Sequence, residues 1–178
     1  MESFAIITAY GNDRVGLADD ISMKILTYDC NIEESKMAVL GGAFAVVVLV
    51  SGPETQVDRL VADAPGFGED LGMTVAAQRT VGHQADATGR PYMIESTSLD
   101  TPGIVHAITS LLRDNSINVE DLETETSRAP FTGAPMFHMR IRAVVPQTVR
   151  VQQLKERLED IALERDLDVS ISPIRPAE

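Results

Sequence analysis

Asn12-Asp13-Arg14-Val15-Gly16-Leu17 is a polar turn set between two periodic stretches. Before it, Phe4-Ala5-Ile6-Ile7-Thr8-Ala9-Tyr10 is short, apolar and partly β-branched, and Gly11, Asn12 and Asp13 end it, so it reads as a strand. After it, Leu17, Ile21, Ile25 and Tyr28 recur at helical spacing while Asp19, Asp20 and Lys24 fall elsewhere, giving a helix one core-facing stripe. The pattern returns 87 positions later, where Leu99-Asp100-Thr101-Pro102-Gly103-Ile104 again joins a strand-like run to a helical one. Such a turn matters chemically because the first backbone N–H groups of a helix have no partner inside the helix.

Outward from the first turn, residues 31–40 resume extended character, Gly41-Gly42 is a two-residue hairpin signal, and residues 43–50 are an unbroken apolar strand. Ser51-Gly52-Pro53 breaks that run, Val57, Leu60, Val61 and Ala64 mark a second helix, and residues 73–81 read as a closing strand. Residues 83–90 are small, polar and aperiodic, which predicts a first domain at 1–82, a linker at 83–90 and a second domain at 91–178. The second half repeats the order. Residues 93–98 form a strand, Ile104, Ile108, Leu111 and Leu112 stripe a helix, and residues 118–126 form a strand carrying Glu120, Asp121, Glu123 and Glu125. A longer hairpin at 127–136 precedes Phe137, Met139, Ile141 and Ala143, which alternate with His138, Arg140 and Arg142. Val151, Leu154, Leu158 and Ile161 then give the last helix its stripe, and residues 168–173 close the second sheet.

Two copies of βαββαβ predict an α+β fold of two ferredoxin-like sandwiches, each a four-stranded antiparallel sheet with two helices on one face. The other face of each sheet is expected to differ. Arg140 and Arg142 are expected opposite Glu123 and Glu125 as a charge ladder facing water. Phe44-Ala45-Val46-Val47-Val48-Leu49-Val50 has no polar position, so both of its sides are expected to be covered, the second by the other repeat or another subunit.

Composition narrows the function. At 178 residues with 44% hydrophobic content, the chain can bury a core in each of two small domains. Its net charge of −12 disfavours direct contact with nucleic acid, whose phosphates need a concentrated Lys/Arg surface. A single cysteine, Cys30, cannot form an internal disulfide and reads as a small buried hydrophobe, as in a reducing cytoplasm. The N-terminal residues lack a signal-peptide pattern and no apolar run approaches membrane-spanning length, which predicts a cytoplasmic protein without membrane contact. No nucleophile elbow, phosphate-cradling glycine loop or paired Cys/His metal spacing is present, so no catalytic residue, cofactor or metal ligand is expected.

Asp-x-x-Gly followed by an aliphatic residue at the turn, then Asn fifteen residues after that Gly, within a βαββαβ order, resembles the ACT domain. Both copies comply: Gly16 is followed by Asn31-Ile32-Glu33 and Gly103 by Asn118-Val119-Glu120, and the resemblance covers nearly the whole chain outside the linker. Two ACT domains with nothing else are similar to the glycine cleavage system transcriptional repressor family. The resemblance implies that a small, glycine-like amino acid binds at interfaces between ACT domains in a homo-oligomer. The residues it places at the site are Asn12, Asp13, Arg14, Gly16, Leu17, Asn31 and Ile32, with Asp100, Thr101, Gly103, Ile104, Asn118 and Val119 in the second copy.

The local chemistry fits such a ligand. A glycine lets the backbone approach closely, free N–H groups attract an α-carboxylate, and Asp or Asn oxygens accept from an α-ammonium group. Arg14 adds a charge that can hold a carboxylate and Pro102 suits the first helical position, so the two sites are expected to differ. Plainer readings stand beside these: Asp13 and Asp100 as simple helix N-caps, Asn31 and Asn118 as turn residues in a left-handed conformation. The function expected is regulatory, with ligand binding coupled to contact with a DNA-binding regulator; the alternative is a detached regulatory subunit of an amino-acid metabolic enzyme.

Overall fold

A computed structural model describes residues 2–82 and 89–174, and the periodicities around each turn become two sets of six elements. The first set is β1 (Glu2–Asn12), α1 (Leu17–Leu26), β2 (Asn31–Leu40), β3 (Ala43–Pro53), α2 (Glu54–Leu71) and β4 (Thr74–Thr80). The second is β5 (Gly89–Leu99), α3 (Ile104–Asp114), β6 (Asn118–Arg128), β7 (Pro135–Pro146), α4 (Val151–Arg165) and β8 (Leu167–Pro173). They form two compact units on either side of residues 83–88. Most of the expected linker lies outside the described residues, and Gly89 and Arg90 open β5.

Each unit is a four-stranded antiparallel sheet, in the order β2-β3-β1-β4 and β6-β7-β5-β8. The α+β ferredoxin-like architecture read from the repeat is the one observed. In the first unit Ala5, Ile7 and Ala9 of β1 and Phe44, Val46, Val48 and Val50 of β3 form a core with Leu17, Ile21 and Ile25 of α1 and Val57 and Leu60 of α2. In the second, Ile94, Met139, Ile141 and Ala143 meet Ile104, Ile108, Leu112, Leu154 and Leu158. Cys30 is buried in the first core, and burial raises its thiol above the usual range, in keeping with an inert hydrophobe. Helix α2, marked in the sequence by Val57, Leu60, Val61 and Ala64, runs on through Pro65 to Leu71. Its extension is held by buried Phe67, and by Gly68, where an added Cβ would lie 2.6 Å from the Met73 carbonyl oxygen.

The sheet faces turned away from the helices are unlike one another. Within the first unit, the helices cover one side of strand β3: Val46 and Val48 are buried beneath them, while Val47, on the other side, is 47% exposed in the single chain. Register places Tyr10, Ala45 and Ala38 across that face, followed by Thr8, Val47 and Lys36 and by Ile6, Leu49 and Glu34. The corresponding face of the second unit carries Glu95, Arg140, Arg142 and Glu123. The charge ladder differs in register from the expectation. Arg140 does stand opposite Glu123, but an irregularity between Val119 and Asp121 brings Asp121 opposite Arg142, and His138 opposite Glu125. The ion pairs formed are Arg140 Nε to Glu95 at 3.2 Å and Arg142 Nε to Glu120 at 2.9 Å, both solvent-exposed. His138 is bridged by hydroxyls, Thr97 Oγ1 at 3.2 Å from Nδ1 and Ser127 Oγ at 3.0 Å from Nε2.

Candidate functional site

Both turns are built by a glycine that only a left-handed backbone can place. Gly16 has φ 90° and Gly103 φ 95°, a region where a Cβ is strained, and each is the N-cap residue of its helix. Neither helix has a side-chain cap hydrogen bond, so Asp13 and Asp100 are not N-caps. Instead their backbones tie the turns to the neighbouring hairpins: Asp13 N–H donates to Gly42 O at 3.0 Å and Asp100 N–H to Pro135 O at 3.1 Å. Pro102 precedes the N-cap and is outside the first helical position expected for it, because the glycine takes up the turn's reversal one residue later. The second plainer reading also fails. The left-handed residues after α1 and α3 are Asp29 (φ 52°) and Ser116 (φ 55°), while Asn31 and Asn118 each begin a strand.

Leu17 and Ile104 are 2% and 1% exposed, so their side chains anchor the helices in the cores and only their N–H groups face the turns. The rest of each set splits into two places. Asn31 pairs with Ser51, which pairs with Phe4, at the opposite end of β1 from Asn12. Eight residues of strand, about 26 Å, therefore separate the turn from the start of β2. The second unit repeats this, with Asn118 level with Val144 and Pro91, and the turn following Leu99 at the far end of β5. Within one unit, the structure does not bring Asn12, Asp13 and Gly16 together with Asn31 and Ile32, nor Asp100, Thr101 and Gly103 together with Asn118 and Val119.

The turns differ in what their polar groups already hold. In the first unit Arg14 pairs with Asp20 of α1 at 2.7 Å, and Asp19 also lies in that helix's first turn. Asn31 donates from Nδ2 to Glu33 Oε1 at 3.1 Å, and hydrogen bonds from Ser51 and Asn31 hold the Glu33 carboxyl below the usual range. In the second unit α3 has no acidic residue in its first turn. Thr101, Gly103 and Ile104 line a groove of about 530 Å³ with Val105, His106, Thr109 and Phe137. Arg165, at the end of α4, lies against the turn, with its Nη1 3.2 Å from where a Cβ on Gly103 would sit. Among the described residues no hydrogen bond or ion pair engages Arg165 or the side chain of Asn118. Sequence reading missed Arg165 because it lies 62 positions beyond Gly103, and no local pattern marks a helix end folded back onto that turn.

The residues around both turns are matched by models of the ACT domain, over residues 3–78 and 92–163. The chain belongs to the ACT domain family. It is a tandem ACT protein, related over its length to the glycine cleavage system transcriptional repressor of Escherichia coli, at 24% identity over 97% of this chain and 91% of that protein. A UPF0237 protein of Methanopyrus kandleri is 36% identical over 42% of this chain and 84% of its own length. Among solved structures, a protein of unknown function from Galdieria sulphuraria superposes with a TM-score of 0.83 at 28% identity, covering 98% of this chain and all of that one. The Escherichia coli and Galdieria sulphuraria proteins thus align across both of the ACT domains matched in this chain. Among the described residues of this ACT pair, no three His, Cys, Asp or Glu side chains are placed to hold a metal ion, and no helix is long and apolar enough to cross a membrane.

Proposed function

We propose that this tandem ACT protein senses a small amino acid, glycine-like by its kinship, and passes the bound state on through protein contacts as a transcriptional co-regulator that does not itself bind DNA. The observation that carries the reading is the second turn. It combines the partner-free N-terminus of α3, a glycine that admits close approach, a groove, and the Arg165 guanidinium beside Gly103 with no competing carboxylate in the helix's first turn. A carboxylate held there gains charge-assisted hydrogen bonds, whereas at the first turn it meets Asp19 and Asp20 and an Arg14 already paired. The α-ammonium group is left for an Asn or Asp oxygen. Because Asn118 lies at the far end of its own sheet, the strand-start contribution in this reading comes from another ACT domain, and the complete site forms between ACT domains of a homo-oligomer.

The net charge of −12 supports action through a DNA-binding partner rather than on DNA directly. Thermal denaturation against each of the twenty amino acids is the test. One or a few small amino acids raise the melting temperature in a saturable way, and Asp100→Ala or Asn118→Ala removes the rise while leaving the ligand-free transition cooperative. No rise with any amino acid up to millimolar concentration contradicts sensing. A ligand-dependent complex with an amino-acid biosynthetic enzyme, in place of a DNA-binding regulator, replaces co-regulation with the detached-subunit reading.

A further inference from the structure

The two hairpins that buttress the turns are of different kinds, and the site proposed above uses only the base of one. Gly41-Gly42 joins β2 to β3 with two residues, both at positive φ, and leaves nothing to project. Residues 129–134 join β6 to β7 as a six-residue arch. The arch is ordered by its own bonds: Ala129 N–H donates to Ala134 O and Gly133 N–H to Ala129 O, each at 2.9 Å, and Arg128 Nη1 reaches Gly133 O at 3.4 Å. At its tip Phe131 is fully exposed. An ordered loop that holds an aromatic ring wholly in water forfeits the burial that the ring would gain elsewhere.

The base of this arch is part of the second turn. Pro135, its last neighbour, accepts the Asp100 N–H, and Phe137, two residues further, lines the groove with Thr101 and Gly103. We infer that the 129–134 arch is a lid for the second-unit groove, and that Phe131 closes over a small amino acid bound at the α3 N-terminus. Resting on the sensing reading, this assigns Phe131 as the residue that shields the carboxylate and the Arg165 guanidinium from water, where their attraction strengthens. Pro130 and the arch's own hydrogen bonds limit bending within it, so it moves as one body about its junctions with β6 and β7.

The chain contains no tryptophan, so Phe131→Trp supplies a single tryptophan at the tip, excited selectively over the three tyrosines. The full chain carrying this change is titrated with glycine, alanine and serine in turn while thermal denaturation is recorded on the same samples. The expected result is a saturable blue shift of emission with the ligand that raises the melting temperature. Phe131→Ala weakens that ligand about tenfold while its ligand-free melting temperature stays at the parental value. A melting-temperature rise with unchanged emission, and undiminished affinity in Phe131→Ala, overturns the lid and leaves the sensing reading standing. No thermal response to any of the three overturns the lid together with glycine-like sensing. Leu40→Trp, beside the two-glycine turn, reports the first unit; an equal blue shift there also overturns the lid, because it marks a change common to both hairpins.

Discussion

The first and second ACT units share an element order, a sheet topology and a left-handed glycine at the same turn, yet they use the polar groups around that turn in opposite ways. In the first, Arg14 is drawn to Asp20 and Asn31 to Glu33, so the groups suited to an amino acid have partners within the unit. In the second, α3 opens without an acid, Glu120 is paired with Arg142 instead, and Arg165 stands beside Gly103. The lesson is that duplication keeps the scaffold, which depends on apolar periodicity, while a few charged substitutions change what the polar groups at each turn already hold. The open sheet faces differ as well: Val47 stands between Thr8 and Lys36 in one unit, while Arg140 stands between Glu95 and Glu123 in the other.

The largest effects are expected where the units are alike. Leu17→Ala and Ile104→Ala each remove a buried anchor directly after the glycine, and each should cost about 2–5 kcal/mol in denaturant unfolding. A large loss at one site and none at the other would break the equivalence of the scaffolds. Next comes the ligand. Arg165→Ala should weaken amino-acid binding by about ten- to a hundredfold, roughly 1.5–3 kcal/mol for a hydrogen bond to a charged group, as measured by calorimetric titration. Arg14→Ala should leave the affinity within about twofold, since Arg14 pairs with Asp20; the reverse ranking would exchange the roles of the two turns.

A smaller effect separates the cores. Ser96 Oγ and Ser98 Oγ in β5 are buried without a hydrogen-bond partner among the described residues, and the position equivalent to Ser96 in the first unit is Ala9. Ser96→Ala should therefore raise stability by about 1 kcal/mol, read as a higher denaturant midpoint with unchanged slope. The smallest effect belongs to Glu33, whose carboxyl is held below its usual range first by Ser51 and then by Asn31. A depressed folded value means this stabilisation is present above the unfolded pKa, near 4.3, and is lost as pH falls through the folded value. Melting temperatures in mildly acid buffers should accordingly fall more steeply in the parent than in Glu33→Gln; parallel curves would remove Glu33 from the account.

The fold was legible because its signals are periodic and occur twice. The stripe Leu17, Ile21, Ile25 and the alternation Met139, Ile141, Ala143 each state a burial direction that the cores adopt. Asp-x-x-Gly with its distant Asn was legible as a family mark, but the division of the site was not. That Asn31 lies a sheet's length from Gly16 follows from the strand register, which local spacing does not contain. The cap reading of Asp13 failed because the glycine at φ 90° displaces the helix start by three residues, and Arg165 was invisible because the packing of α3 on α4 is a long-range property.

The central claim, that the second turn rather than the first takes the ligand, is tested most directly by nuclear magnetic resonance of the isotope-labelled chain titrated with the amino acid that gives the largest thermal stabilisation. The account expects saturable shifts at the backbone amides of Thr101, Gly103, Ile104 and Val105 and at the Arg165 side chain, with Arg14, Val15, Gly16 and Leu17 unmoved. Saturable shifts confined to the first turn, or equal in both, would contradict it.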